Sequence, residues 1–186
     1  MNDMLWPIRL VSGQQRLSGN MNIVDRSSWG RNIGYGAFAI VAVGLVSVIG
    51  QLATYSNLAP WYAGLAKPAF NPPNWIFAPV WTTLYALMAF AAWRILRLPR
   101  GTAARRSALT LFFVQLALNA VWSWMFFAAN SPLLGLVNIV PQFLVIAATV
   151  VAFHRLDRLA AWCLAPLAAW VAFAAVLNAA IWLLNR

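Results

Sequence analysis

Apolar residues gather along this chain in five blocks, parted by short polar, proline-rich or arginine-rich breaks. The blocks read Ile33–Tyr55, Trp75–Leu96, Arg106–Ala128, Pro132–Phe153 and Leu159–Leu184. Each is close to the ~20 residues with which a helix crosses the hydrocarbon core of a bilayer. The pattern predicts an all-α integral membrane bundle of five transmembrane helices, and the odd count puts the termini on opposite sides. Residues 1–32 break the pattern, being polar and mildly basic with no continuous apolar run of a secretory signal. They read as a disordered N-terminal arm ahead of a membrane domain over residues 33–186.

Within the blocks a second periodicity is superposed, at helical spacing. Trp81, Tyr85 and Met88 fall at i, i+4 and i+7 of the second block, forming one aromatic stripe. Gln115, Asn119 and Ser123 do the same in the third, with Trp122 beside them, and Trp170, Ala174, Asn178 and Trp182 repeat every four residues in the fifth. The fourth adds Asn138 and Gln142 around Pro141, whose missing N–H frees a carbonyl. Between the first two blocks runs WYAGLAKPAFNPPNW, in which Pro68, Pro72 and Pro73 fix φ and restrain their predecessors. This loop reads as a stiff lid.

Depth sorts the aromatic and polar residues. At ~1.5 Å per residue, Trp81 and Asn119 lie about 9–14 Å below the lid, and Trp170 near mid-membrane. Buried Asn and Gln serve as glue between membrane helices and Trp and Tyr as interfacial belts. That reading suits Trp75, Trp93, Trp124 and Trp182. Trp81, Tyr85, Asn119 and Trp170 are too deep for a belt and fit a pocket of apolar walls with a few polar groups. Trp61 and Tyr62 stand between site and anchor. Lys67, the lid's one charge, reads either as a partner for a carboxylate at the pocket mouth or as a solvated anchor.

Composition narrows the class. The chain is 63% hydrophobic and 9% charged, against about 25% charged for a soluble domain. Its net charge of +10 does not point to nucleic acid, because the basic residues collect at block ends: Arg94, Arg97, Arg100, Arg105 and Arg106 in one turn, Arg155 and Arg158 in another. By the positive-inside rule these turns and the N-terminus are cytoplasmic, with the lid and C-terminus outside a bacterial inner membrane. The three acids, Asp3, Asp25 and Asp157, all lie outside the blocks, so no proton relay or carboxylate pair can be assembled within the membrane. A single cysteine, Cys163, and a single histidine, His154, supply neither an internal disulfide nor a metal site.

The motifs WYxxLxKPxFxPPxW and VWxxLYxLM, then QLxLNxxWSxxFF at 115–127 and LAPxxxWVxFAxxLN at 164–178, resemble the TspO/translocator protein family, the tryptophan-rich sensory protein and peripheral benzodiazepine receptor group. The resemblance implies a homodimer with no obligatory cofactor that takes porphyrins (protoporphyrin IX, haem) as ligands in tetrapyrrole transport, sensing or stress control. It carries the pocket onto Trp61, Tyr62, Trp81, Tyr85, Asn119, Trp170 and Ala174, with Trp122 adjoining. It also implies two alternatives. One is light-dependent porphyrin degradation through Trp81 and Trp170. The other is sterol or lipid binding, for which LNAAIWLLNR lacks the tyrosine of the usual pattern. The resemblance leaves outer-membrane placement open. Phe70 stands where an aromatic pair is usual, and Pro166-Leu167 replaces the common Pro-Tyr.

Overall fold

A computed structural model describes residues 13–59 and 61–186, with side chains from residue 29 onward. The chain forms five long helices: α1 (Gly13–Leu58), α2 (Asn74–Leu96), α3 (Ala103–Ser123), α4 (Pro132–His154) and α5 (Arg158–Leu184). Among the described residues there is no strand. All five are long and apolar enough to cross a membrane, α1 over Trp29–Leu58. The sequence-derived ends agree with these to within a few residues. Of the arm expected over residues 1–32, residues 1–12 lie outside the described residues, and residues 13–32 form the first part of α1, which begins well before the predicted Ile33.

Helix ends are set by local chemistry. The Thr102 hydroxyl accepts from the Arg105 N–H at 3.3 Å, the Ser131 hydroxyl from Leu134 at 3.2 Å, and the Asp157 carboxylate from Ala160 at 3.1 Å, each satisfying one orphan donor of a first turn. At the other end of α2, the buried Arg105 guanidinium donates to the Ile95 and Leu96 carbonyls at 3.2 and 2.9 Å. A cation there meets both the unpaired carbonyls and the negative end of the helix dipole. The α3–α4 turn reverses at Asn130, whose φ of 52° is left-handed, a conformation asparagine tolerates.

The helices form a ring in the order α1, α2, α5, α4, α3, closed by contact between α3 and α1. Met88, Ile95, Phe112, Ile146, Phe153, Leu164 and Leu167 fill its interior, with Phe112 stacked on Phe153 at 5.8 Å between centroids. Ile40, Val41, Leu45, Val137, Val140, Leu144, Trp162 and Val176 are exposed around the outside, which is the inverse of a soluble surface and suits lipid. Close approach of α1 to its neighbours occurs at Gly36, beside Trp93, and Gly50, beside Ser123, whereas Gly30 and Gly34 face open space.

The two ends of the ring are tied differently. Arg94 of α2 pairs with Asp157 ahead of α5 at 2.7 Å, joining the two arginine-rich turns. Burial alone would raise the Asp157 carboxyl, but the Ala160 N–H, the hydrogen bond and charge of Arg94 and the Leu159 N–H hold it below the usual carboxylate range. At the opposite end the α1–α2 loop lies against the C-terminus of α5, where Asn185 bonds Ala66.

Candidate functional site

The expected aromatic stripe on α2 is one helical turn longer than its sequence reading. Phe77, Trp81 and Tyr85 follow one another at i, i+4 and i+8. Trp81 packs on Tyr85 with centroids 5.4 Å apart, and Phe77 meets Trp170 of α5 edge-on at 5.8 Å. At its deep end, the Tyr85 hydroxyl donates to the Asn119 amide oxygen at 2.9 Å, with Asn119 buried. The stripe thus joins α5 at the top to α3 below. The i, i+4 spacing that put Gln115 and Asn119 on one face of α3 holds too, since both are buried, and Gln115 donates to the Met88 sulfur at 3.7 Å.

Trp122 belongs to a second cluster under the lid. It stacks on Phe126 at 5.0 Å, and its indole N–H donates to Asn178 Oδ1 at 3.2 Å. Asn178 in turn donates to the Pro132 carbonyl at 2.7 Å, so α3, α4 and α5 are joined at one carboxamide. A π-helical turn at Trp124–Ala128 closes α3 through N–H donors at Ala129 and Ser131 reaching back five residues to Trp124 and Phe126. The wider turn lets two consecutive phenylalanines, Phe126 and Phe127, both face inward. Trp61 of the lid meets Phe126 edge-on at 5.4 Å, and the buried Tyr62 lies 5.6 Å from Phe127. Removal from water pushes the Tyr62 hydroxyl above its ordinary value.

Lys67 is engaged within its own loop. Its ammonium donates to the Ala63 and Leu65 carbonyls at 3.3 and 3.1 Å and sits over the Tyr62 ring at 4.6 Å. Asn71, also in the loop, accepts from the Tyr62 hydroxyl at 3.3 Å. The lid is therefore closed on its own aromatic and polar contacts.

The predicted residues accordingly fall into two neighbouring groups. Trp81, Tyr85, Asn119, Trp170 and Ala174 lie on or beside the main core, Trp61 and Tyr62 in the lid cluster, and Trp122 touches both. A groove of about 730 Å³ opens between α2 and α5 just below Pro72, walled by Ile76, Val80, Leu84, Ala169, Trp170 and Phe173. Only Trp170 of the predicted set lines it. Phe173 and Phe77 escaped the sequence reading. Phe173 packs on Trp170 at 5.6 Å and on the lid's Phe70 at 6.4 Å. The signal for Phe77 was its place four residues before Trp81.

Two buried acceptors, Gln115 Oε1 and Asn138 Oδ1, have no hydrogen-bond partner among the described residues. An orphaned buried polar atom costs about 1–3 kcal/mol, and such atoms mark where a guest with N–H or O–H groups or a bound water would be accepted.

Comparison with known proteins agrees with the motifs. The model of the TspO/MBR family matches residues 37–183. The chain belongs to the TspO/MBR family. It is 38% identical over 150 residues to the tryptophan-rich protein TspO of Archaeoglobus fulgidus, covering 79% of this chain and 94% of that one. The translocator protein of Sus scrofa is 42% identical over 127 residues, covering 68% of this chain and 75% of its own. The tryptophan-rich sensory protein of Cereibacter sphaeroides is 38% identical over 118 residues, with 63% and 72% covered. The matched region takes in the lid, the α2 stripe and the Trp122–Asn178 junction, so the whole candidate site falls within the family domain.

Proposed function

We propose that this multi-pass membrane protein binds a flat tetrapyrrole, protoporphyrin IX or haem, beneath the α1–α2 loop, in the service of tetrapyrrole transport, sensing or stress control. The observation that carries the reading is the Phe77–Trp81–Tyr85 stripe, which ends on the buried Tyr85–Asn119 hydrogen bond under an aromatic lid. Indole and phenol faces stack on planar π systems, and the Tyr85–Asn119 pair orients a polar edge. Gln115 Oε1 and Asn138 Oδ1 offer unpaired acceptors in the same bundle interior. Trp170 meets the stripe through Phe77 and also lines the open groove between α2 and α5. A ligand carboxylate at the mouth would have to draw Lys67 from its two loop carbonyls. We take the protein to be a homodimer with the lid outward in an inner membrane. Gly30 and Gly34, where an added Cβ would meet nothing within 4 Å among the described residues, leave room for a second copy seated there.

Photo-oxidative degradation of the porphyrin is the alternative, and it requires Trp81 and Trp170. Trp170 meets Phe77 edge-on at 5.8 Å, one helical turn before Trp81 on α2. A dark titration with protoporphyrin IX followed by illumination in air separates the two. A bound spectrum stable to light identifies a binder. Loss of the porphyrin bands that vanishes in Trp81→Phe with Trp170→Phe identifies the degrader.

A further inference from the structure

One side chain at the far end of the chain adds a tie between the lid and α5 to the aromatic packing beneath the loop. Asn185, just past the last turn of α5, accepts from the Ala66 N–H at 2.9 Å and donates to the Ala66 carbonyl at 2.9 Å. Its second amide hydrogen goes to the Ile181 carbonyl at 2.7 Å. That third bond fixes the carboxamide on the end of α5, so that its remaining donor and acceptor match the two backbone groups of a single loop residue. No other side chain outside the loop hydrogen-bonds residues 61–73 among the described residues. The other polar contacts of this stretch are internal, from Tyr62 to Asn71, from Asn71 to Pro72 and from Lys67 to Ala63 and Leu65.

Below the latch aromatic rings pack against Phe77 at the top of the stripe, and the open groove between α2 and α5 is lined by other residues of α2. Trp61 and Tyr62 pack on Phe126 and Phe127, and Phe70 packs on Phe173. A flat ligand therefore reaches the α2 stripe from the outer face only when these rings lift, and the loop is stiffened by Pro68, Pro72 and Pro73, so it moves as a unit. Ala66 is the point where that unit is hydrogen-bonded to α5, besides its junctions with α1 at Trp61 and with α2 at Pro73. We propose that Asn185 is a gating latch, a positioning residue whose paired bonds to Ala66 set how fast ligand enters and leaves the site beneath the loop. The proposal rests on the tetrapyrrole reading for the identity of the ligand, but the latch itself does not.

Both Asn185 and Ala66 are water-exposed, so each bond lies at the weak end of the usual range, and loss of the pair speeds lid opening about tenfold. Two readouts on the full-length protein in detergent test this. Hydrogen exchange at the Ala66 amide reports the latch without ligand, and stopped-flow mixing with protoporphyrin IX in the dark reports the gate. Asn185→Ala is expected to speed Ala66 exchange and to raise both association and dissociation rates about tenfold, leaving the equilibrium constant nearly unchanged. Asn185→Asp keeps an acceptor for the Ala66 N–H but faces the Ala66 carbonyl with an oxygen, and falls between the two. Faster exchange with unchanged porphyrin rates overturns the gating role, and unchanged exchange overturns the latch. If the wild-type protein shows no saturable porphyrin binding, the tetrapyrrole reading fails and the gating role with it. That result is distinct, because Ala66 exchange still answers to Asn185.

Discussion

Among the described glycines, Gly135 is the one where an added methyl group meets the tightest contacts. A Cβ there would stand 2.7 Å from Asn178 Oδ1, 2.8 Å from Phe126 Cδ2 and 3.1 Å from Phe126 Cβ. Neither neighbour is free to yield. Asn178 is held by Pro132 and Trp122, and Phe126 by its stack on Trp122 and its edge contact with Trp61. Overpacking of this kind costs about 1–3 kcal/mol, and displacing Asn178 adds about 1 kcal/mol for each hydrogen bond lost. The gain in helix propensity from glycine to alanine returns about 1 kcal/mol. With both Asn178 bonds lost, the net for Gly135→Ala is a destabilisation of about 2–4 kcal/mol. At about 2–4 °C per kcal/mol for a chain of this size, thermal unfolding in detergent shifts down by several degrees. Gly44→Ala is the control, since a Cβ at Gly44 meets nothing within 4 Å. A Gly135→Ala protein as stable as Gly44→Ala would refute the packing described for the α3–α4–α5 junction.

Three other outcomes follow from the same contacts. The Asp157 carboxyl sits below its ordinary value of 3.8, so the stability it contributes is complete above that value and is lost as pH falls through the lower folded value; melting curves from pH 6 to pH 3 should show this loss, and Asp157→Asn should be less stable at pH 6 and flatter below. Arg105→Met strands the Ile95 and Leu96 carbonyls and should cost about 2–3 kcal/mol in detergent unfolding, with Arg105→Lys recovering only part of it. Lys67→Glu removes the ammonium from two loop carbonyls and the Tyr62 ring and should weaken protoporphyrin IX severalfold in a fluorescence titration; unchanged affinity would exclude Lys67 from the mouth of the site.

The fold was legible because a bilayer imposes its own length on each apolar block, and five blocks of that length leave little choice. Helical spacing also brought out Trp81 with Tyr85, and the burial of Gln115, Asn119 and Asn178, because side chains four apart share a face whatever surrounds them. Partners across helices were not legible. Nothing in the sequence says that Tyr85 bonds Asn119 rather than a closer residue, that Asp157 both caps α5 and holds Arg94, or that Arg105 turns inward to cap α2. Those depend on the ring order, which the periodicity of single helices leaves undetermined. The π-turn at Trp124–Ala128 was hidden for a different reason, since it shifts the phase of the α3 pattern by a residue and so admits Phe126 and Phe127 together.

The most direct test of the central claim is an equilibrium titration of protoporphyrin IX in the dark against the wild-type protein and Tyr85→Phe with Asn119→Leu. That double change removes the hydrogen bond at the deep end of the stripe while leaving both positions filled, so neither buried group is orphaned. The account predicts saturable binding to the wild type and at least a tenfold loss in the variant, with both proteins melting within a few degrees of each other. Equal affinity in the two, or no saturable binding in either, would contradict a tetrapyrrole site beneath the α1–α2 loop.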